Sequence, residues 1–330
     1  MGVGRKKQGE GTNLSELELI ARIGRAAATL NRVVRLGIGD DCAALRVPAG
    51  QEMLVTTDFS LEGVHFRRDW HTPESAGHRC LARGLSDVAA MGGRPVAAFL
   101  SLALPAGYAL PWVDGFMAGM RSLAELHGVQ LAGGDTAEAP GSEILADIVV
   151  IGAVARGKAL RRATARGGDL IYVTGRLGGA ALELERLAAG ERCPRKAGLP
   201  GEHPQTFPEP RVAVGRALVW RGIATSCMDL SDGISSDLKR ICEASGVGAE
   251  VREERLPLSV GATLEQALHG GEDYELLFTA RAETRVPRKI GGVPVCCIGR
   301  IVGAETHVNL IRIDGRREVL EPGGWEHFRG

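Results

Sequence analysis

Aspartates recur along this chain beside glycines or at the ends of apolar runs, and most have no basic neighbour. Asp40 and Asp41 lie between Gly39 and Cys42, Asp58 follows Thr56 and Thr57, and Asp87 follows Ser86 in an otherwise apolar stretch. Asp135 follows Gly133 and Gly134, Asp229 and Asp232 bracket Leu230 and Ser231, and Glu272 and Asp273 follow Gly270 and Gly271. Taken singly, an Asp beside Gly is a turn or a helix cap. Asp87 is different, because Leu85, Val88, Ala89 and Met91 surround it and an unpaired buried carboxylate is costly. It is either an ion-pair partner of Arg83 or Arg79, or part of a site. No Lys or Arg lies between Leu36 and Leu45, between Glu52 and Phe66, or between Cys227 and Leu238. If these segments converge, the carboxylates repel by ~4 kcal/mol per pair at ~4 Å and an effective dielectric of ~20. A fold that gathers them needs a counter-cation. Mg²⁺ fits, since it prefers oxygen ligands and bridges to substrate phosphates. Thr56, Thr57 and Ser231 add neutral oxygens.

The elements between these points alternate. A capping box at Ser15 and Glu18, with Leu14 and Leu19 as its staple, predicts a first helix. Met53 to Thr57 reads as a strand ending at Asp58. Thr72 and Pro73 open a helix that runs to Met91 and stops at Gly92-Gly93. Val96–Leu104 is a buried strand, Trp112–His127 a helix, Val129–Ala132 a strand leading into Gly133-Gly134-Asp135, and Ile144–Ala155 another strand. Leu170–Thr174, Thr225–Met228, Tyr274–Thr279 and Val295–Ile301 are later strands, with helices through Leu187 and over Ser235–Ser245. Residues 190–208, rich in Gly, Pro and charge, read as a surface loop. The chain of 330 residues has room for two cores. The mixture predicts a two-domain α/β or α+β protein, with a polar start over 1–12, an N-terminal domain over 13–156 and a C-terminal domain over 157–330.

Several classes are excluded. Lys plus Arg equals Asp plus Glu at 40 each, and aromatics are 4%, so a nucleic-acid partner is not expected. No apolar run approaches the ~20 residues of a membrane span. Arg5, Lys6 and Lys7 are not followed by the apolar region of a signal peptide. The seven cysteines are odd in number and none are spaced as CxxC, which predicts a cytoplasmic protein with reduced thiols. EF-hand, Walker A and protein-kinase patterns are absent, so metals and glycine backbone must hold any phosphates.

In order along the chain stand LGIGDDCA at 36–43, TTD at 56–58, EGVHF at 62–66, LSDVAAMG at 85–92, GGDT at 133–136, DLSDGISSDL at 229–238 and GGEDYELLF at 270–278. On these motifs the chain resembles the thiamine-monophosphate kinase family, within the aminoimidazole ribonucleotide synthetase superfamily. The resemblance runs from about Leu14 to Phe328. It implies an N-terminal mixed-sheet domain that forms a homodimer through its sheet, a C-terminal α/β domain, and active sites between the domains. It implies transfer of phosphate from ATP to thiamine monophosphate with several Mg²⁺ ions. Carried over residue by residue, Asp41, Thr56, Thr57, Asp58, Asp87, Asp135, Asp229 and Asp232 are implied metal ligands. Gly134, Asp135, Arg162 and Ser231 are implied nucleotide contacts, Arg161 being the alternative to Arg162. His65, Glu272 and Trp325 are implied contacts to the thiamine phosphate; His65 is equally a structural histidine, and Trp325 an anchor for the C-terminus. Phe59-Ser60 and Gly84 depart from the family pattern beside proposed ligands that are themselves unchanged.

The acceptor phosphate is itself an ionised nucleophile, so no catalytic base or covalent nucleophile is expected. Rival readings are a synthetase of the same superfamily and a non-catalytic metal- or nucleotide-binding module. Selenophosphate synthetase would need an N-terminal reactive Cys and Lys, but the first Cys is Cys42; the hydrogenase-maturation relative would need a C-terminal Cys, but none follows Cys297. Aspartates in both halves argue against a passive module.

Overall fold

The computed structural model describes residues 18–19, 22–24, 33–36, 42–199, 201–303 and 306–324. Leu14 and Ser15 of the predicted cap, and Asp40, Asp41 and Trp325, lie outside the described residues.

Strands β1 (Val34–Leu36) and β2 (Ala44–Leu45) form a short antiparallel pair. Strands β3 (Gln51–Leu61), β4 (Arg94–Leu104), β5 (Gln130–Glu138) and β6 (Leu145–Ala155) form a four-stranded sheet in the order β3-β6-β4-β5. Its β4–β5 pair is parallel and the other two are antiparallel, so the sheet is mixed. The parallel pair requires a crossover, which helix α2 (Leu110–His127) supplies, while α1 (Pro73–Ala90) links β3 to β4.

The second sheet holds β7 (Leu170–Thr174), β8 (Ser226–Asp229), β9 (Gly248–Arg252), β10 (Leu276–Ala280), β11 (Lys289–Ile290), β12 (Val293–Val302), β13 (Val308–Ile311) and β14 (Arg317–Val319). Its order is β14-β13-β9-β12-β7-β10-β8, with β11 on β12. Helices α3 (Gly179–Ala188), α4 (Val212–Arg221), α5 (Ile234–Ser245) and α6 (Leu264–His269) accompany it. No helix among the described residues is long and apolar enough to cross a membrane.

Helix α1 sits between the two sheets. Thr72 caps it by accepting from the Ser75 N–H at 3.2 Å, with Pro73 in the first turn. Ser75, Ala76, Cys80–Ala82, Leu85, Ser86 and Val88–Ala90 are all buried, and its apolar residues share one core cluster with Ile148 of the first sheet and Phe278 of the second. Such burial needs close approach. A Cβ on Gly119 of α2 would stand 1.9 Å from the Glu74 carbonyl oxygen, and one on Gly77 1.8 Å from that of Phe116.

One face of the first sheet is buried against α1, and the other is covered only in part, where Val33 and Val34 pack on Val96, Ala97, Ala132 and Ala153. Along β3, Thr56 and Ser60 turn toward α1, whereas Val55 and Phe59 are 67% and 61% exposed on the other face.

Three expectations change. Asp58 does not end a strand: β3 continues to Leu61, and Asp58 pairs with Ile148. Asp135 lies within β5, because Gly133 and Gly134 stay in the ladder with β4. Among its described residues, the 190–208 segment has no regular element but is not wholly on the surface, since Gln205, Thr206 and Phe207 are buried. The Ser75 hydroxyl and the Arg79 guanidinium donate to its carbonyls and pull it in.

The α1–α2 contact yields a test. Helix propensity alone favours Gly119→Ala by ~1 kcal/mol, but the clash with backbone costs ~1–3 kcal/mol. The clash should win. Gly119→Ala is expected to lower the denaturant midpoint, and an unchanged or higher midpoint would contradict this packing.

Candidate active site

A cleft of about 640 Å³ opens where β3, α1, the 229–232 turn and the 270–274 loop meet. Asp58, His65, Arg83, Asp87, Asp229 and Glu272 line it, and Thr57, Ser231 and Asp232 complete its rim. One strand, helices α1 and α3 and two loops distant in sequence are thus brought together.

One half of the cleft is acidic. Asp87, on the buried helix, accepts from the Thr56 hydroxyl. Asp229, at the end of β8, accepts from the Ser86 hydroxyl at 2.7 Å. Burial, then the neighbouring Asp229, push the Asp87 carboxyl up to about 7. Burial pushes Asp229 up to about 6, with Asp237 and Asp58 adding to it against the Ser86 hydrogen bond and Arg162. The ion-pair alternative for Asp87 fails, because Arg79 and Arg83 spend their charge on Glu272 and Asp58. Asp232 is paired with Arg240 at 2.5 Å, and Asp237 accepts from the Ser231 and Asp232 N–H groups at 3.1 and 3.0 Å, which shapes the turn. Among the described residues, no three His, Cys, Asp or Glu side chains are already gathered as a metal site. The donor set nevertheless fits a hard divalent cation: it is all oxygen, and two of its carboxylates are held in the charged form only at a cost.

The other half is a charged clamp that the sequence did not disclose. Arg79, only 2% exposed, donates to Glu272 at 2.7 Å, to the His65 carbonyl at 2.9 Å and to the Gln205 side chain at 2.7 Å. Gln205 also donates to Glu272 at 3.0 Å. Arg83 donates to Asp58 at 2.9 Å and to the Tyr274 hydroxyl at 3.2 Å, and its charge lies 3.4 Å from Glu272. Burial opposes the charge on Glu272, but Arg79 and Arg83 outweigh it and hold the carboxyl below its usual range. Glu272 and Tyr274 take φ of 67° and 49°, the positive values non-glycine residues avoid. Such strain persists only where surroundings impose it, and it clusters at sites. The available signal was spacing: Arg79, Arg83 and Asp87 recur every four residues, so they share one helix face.

The remaining predicted residues divide. His65 lines the cleft and its Nδ1 accepts from the Leu61 N–H at 3.0 Å, which leaves the neutral ring's proton on Nε2. The charge of Arg162 offsets a small part of the rise at Asp87 and Asp229, whereas Arg161 lines a separate cavity beside α4. Gly134 and Asp135 are not in the cleft. Asp58, Ile148, Leu100 and Gly134 form one row across the sheet, so Gly134 is three strand spacings, ~14 Å, from Asp58. Gly134 has φ 152° and a Cβ there would meet the Leu100 carbonyl at 1.9 Å, so its identity serves strand contact. Asp135 is exposed, in register with Ser101, Asp147 and Phe59 on the face away from α1.

Residues 39–154 match the family described as AIR synthase related protein, N-terminal domain, and residues 166–309 its C-terminal domain. The thiamine-monophosphate kinase of Salmonella typhimurium is 38% identical over 329 residues, covering 95% of this chain and 98% of its own. The chain belongs to the thiamine-monophosphate kinase family. Among solved structures, the family member from Stenotrophomonas maltophilia K279a is 37% identical, with TM-score 0.78, covering 92% of this chain and 98% of its own. A second, AaThiL complexed with AMPPCP and TMP, is 31% identical, with TM-score 0.73, covering 98% of this chain and 100% of its own. The two-domain α/β architecture expected from the motifs is the family's.

Asp87 provides a test with a definite sign. Its folded pKa is raised from 3.8 to about 7, so the folded state binds the extra proton. The stability this gives is present at low pH and lost as pH climbs between those values. Asparagine cannot ionise. In chelator at pH 8, Asp87→Asn should melt above the parent protein, with the advantage shrinking toward pH 4; assayed separately with Mg²⁺, the variant should lose turnover. A variant that melts lower at every pH and keeps turnover would make Asp87 a structural residue.

Proposed function

We propose that this chain transfers the γ-phosphoryl group of ATP directly to the phosphate of thiamine monophosphate, yielding thiamine diphosphate and ADP. The observation that carries the reading is the cleft itself: a buried, mutually repelling acid cluster faces an arginine–glutamate clamp. Relatives bearing this activity by name, and one bound to an ATP analogue and TMP, support it. Mg²⁺ would be held by Asp58, Asp87 and Asp229, with Asp41, Thr56, Thr57, Asp135 and Asp232 as further oxygens, and would neutralise charge on the phosphoryl oxygens. Gly134, Ser231 and Arg162 are the proposed ATP contacts, and His65, Glu272 and Trp325 the proposed acceptor contacts. The chain's own task is positioning: the Ser86 and Thr56 hydroxyls orient two carboxylates, and Arg79 fixes Glu272 and the His65 backbone. No side chain need remove a proton, since a phosphate monoester is ionised near neutral pH. The seven cysteines are all free, which suits a cytoplasmic enzyme.

A homodimer accounts for what one chain leaves open. The part of the outer sheet face that β1 leaves open carries exposed Val55 and Phe59, with Val55 opposite Ile151. Asp135 stands on that face, away from Asp58, so a second copy there completes the site as well as the fold. Phe59→Glu is expected to convert the dimer to a folded monomer in light scattering and to abolish turnover. A dimeric, active Phe59→Glu protein would remove this interface.

The decisive assay follows product. With ATP, Mg²⁺ and thiamine monophosphate, thiamine diphosphate should accumulate in step with ADP, and excess chelator should stop it. γ-Labelled ATP alone should leave the protein unlabelled. Cys42→Ala should keep most activity, whereas Asp41→Asn should not. Stoichiometric protein labelling that chases into product would refute direct transfer; ADP without thiamine diphosphate would refute the acceptor.

A further inference from the structure

Arg83 occupies a place that the reaction needs for something else. Its Nη2 donates to Asp58 at 2.9 Å, and Asp58 is a carboxylate on the proposed metal side of the cleft. Its Nη1 reaches the Tyr274 hydroxyl at 3.2 Å and lies 3.4 Å from Glu272 on the proposed acceptor side. The side chain is 15% exposed and lines the cleft, so it is within reach of a bound molecule. Its Nε–H is buried with no acceptor, so the guanidinium has donor capacity that the protein leaves unspent. Glu272 keeps its nearer partners without Arg83, since Arg79 holds it at 2.7 Å and Gln205 at 3.0 Å, and Arg79 contributes more to its charge than Arg83 does. Asp58, by contrast, has Arg83 as its ion-pair partner.

We infer that Arg83 is a stand-in cation on Asp58 which, once a divalent ion takes Asp58, turns to bind the phosphate of the acceptor. This rests on the proposed kinase reading and deepens it. A guanidinium cannot share Asp58 with a divalent ion at no cost, since like charges then face each other across one carboxylate. Released, it is a planar fork suited to phosphate oxygens, and always charged. The acceptor subsite is thereby completed only after the metal side is filled. Arg83 is thus a specificity residue for a phosphorylated acceptor: unphosphorylated thiamine offers it nothing to bind.

The experiment uses the full chain and two readouts. The first is the Mg²⁺ concentration that half-saturates the thermal shift, without nucleotide. Arg83→Gln should bind Mg²⁺ several-fold more tightly than the parent, Arg83→Lys should fall between, and Asp87→Asn should show little shift. The second is steady-state kinetics. Arg83→Gln should raise KM for thiamine monophosphate roughly ten- to hundredfold, the loss of one charged hydrogen bond to phosphate, with KM for ATP nearly unchanged. Arg83→Lys should recover part of it. A folded Arg83→Gln protein whose Mg²⁺ midpoint is unchanged or higher overturns the stand-in role, and an unchanged KM for thiamine monophosphate overturns the phosphate role. If the parent makes no thiamine diphosphate, the functional reading fails, and the Mg²⁺ titration still decides the competition at Asp58.

Discussion

The structure depends on burying α1 between two sheets while that helix carries Arg79, Arg83 and Asp87 on one face. A helix buried on all sides should be apolar, and most of α1 is. Its charged stripe is tolerated because each arginine finds a carboxylate from another part of the chain. Arg79 and Arg83 reach Glu272 from the C-terminal half, and Arg83 reaches Asp58 from the first sheet. Removing one partner of such a buried pair typically costs ~3–5 kcal/mol, because the other is left uncompensated. The same contacts that satisfy the helix therefore fix the 270–274 loop against it, in backbone conformations that the loop would not adopt alone.

The two halves of the stripe are not treated alike. The arginine end is saturated with partners, apart from the two Nε–H groups. The Asp87 end has hydroxyls for company and a second buried aspartate close by. Serine and threonine hydroxyls stabilise a carboxylate only in part, and they orient it while leaving its charge uncancelled. A chain whose charges balance at 40 and 40 could have paired these aspartates. That it leaves them unpaired in a cleft, while the neighbouring arginines are engaged, is the kind of local inconsistency expected where function overrides stability.

Much of this was legible in the sequence, for identifiable reasons. The cap at Thr72-Pro73, the glycine stop after Met91 and the apolar runs at Val96 and Ile144 are local signals, and the elements follow them. Asp58, Asp87, Asp229 and Glu272 were legible because glycine, hydroxyl or apolar neighbours made them anomalous. The ends of β3 and β5 were misjudged because aspartate and glycine are poor strand residues, yet the ladder with β6 and β4 carries them through. Short strands β9, β13 and β14 have too few residues for a period to show. The roles of Arg79, Gln205 and Tyr274 were not legible, since each depends on a partner more than 100 residues away or on a backbone angle. A residue four positions from Asp87 on a helix carries no mark of what the far loop brings to it.

The separation of charge across the cleft bears on how two polyanions can meet. ATP and a phosphorylated acceptor repel each other, and a uniformly basic pocket would bind both but would not order them. Here the carboxylates of Asp58, Asp87 and Asp229 repel bare phosphate, and on the proposed reading would admit a nucleotide only in company with cations. The clamp side offers guanidinium groups, but these are engaged by Glu272 and Asp58. Neither half is a ready anion site on its own. Each becomes one when the opposite half is altered, because Asp58 and Glu272 are shared between them through Arg83. At an effective dielectric of ~20, a single charge displaced at ~4 Å changes the local energy by ~4 kcal/mol. That is enough to make occupancy of one side govern affinity on the other, with no change in backbone required.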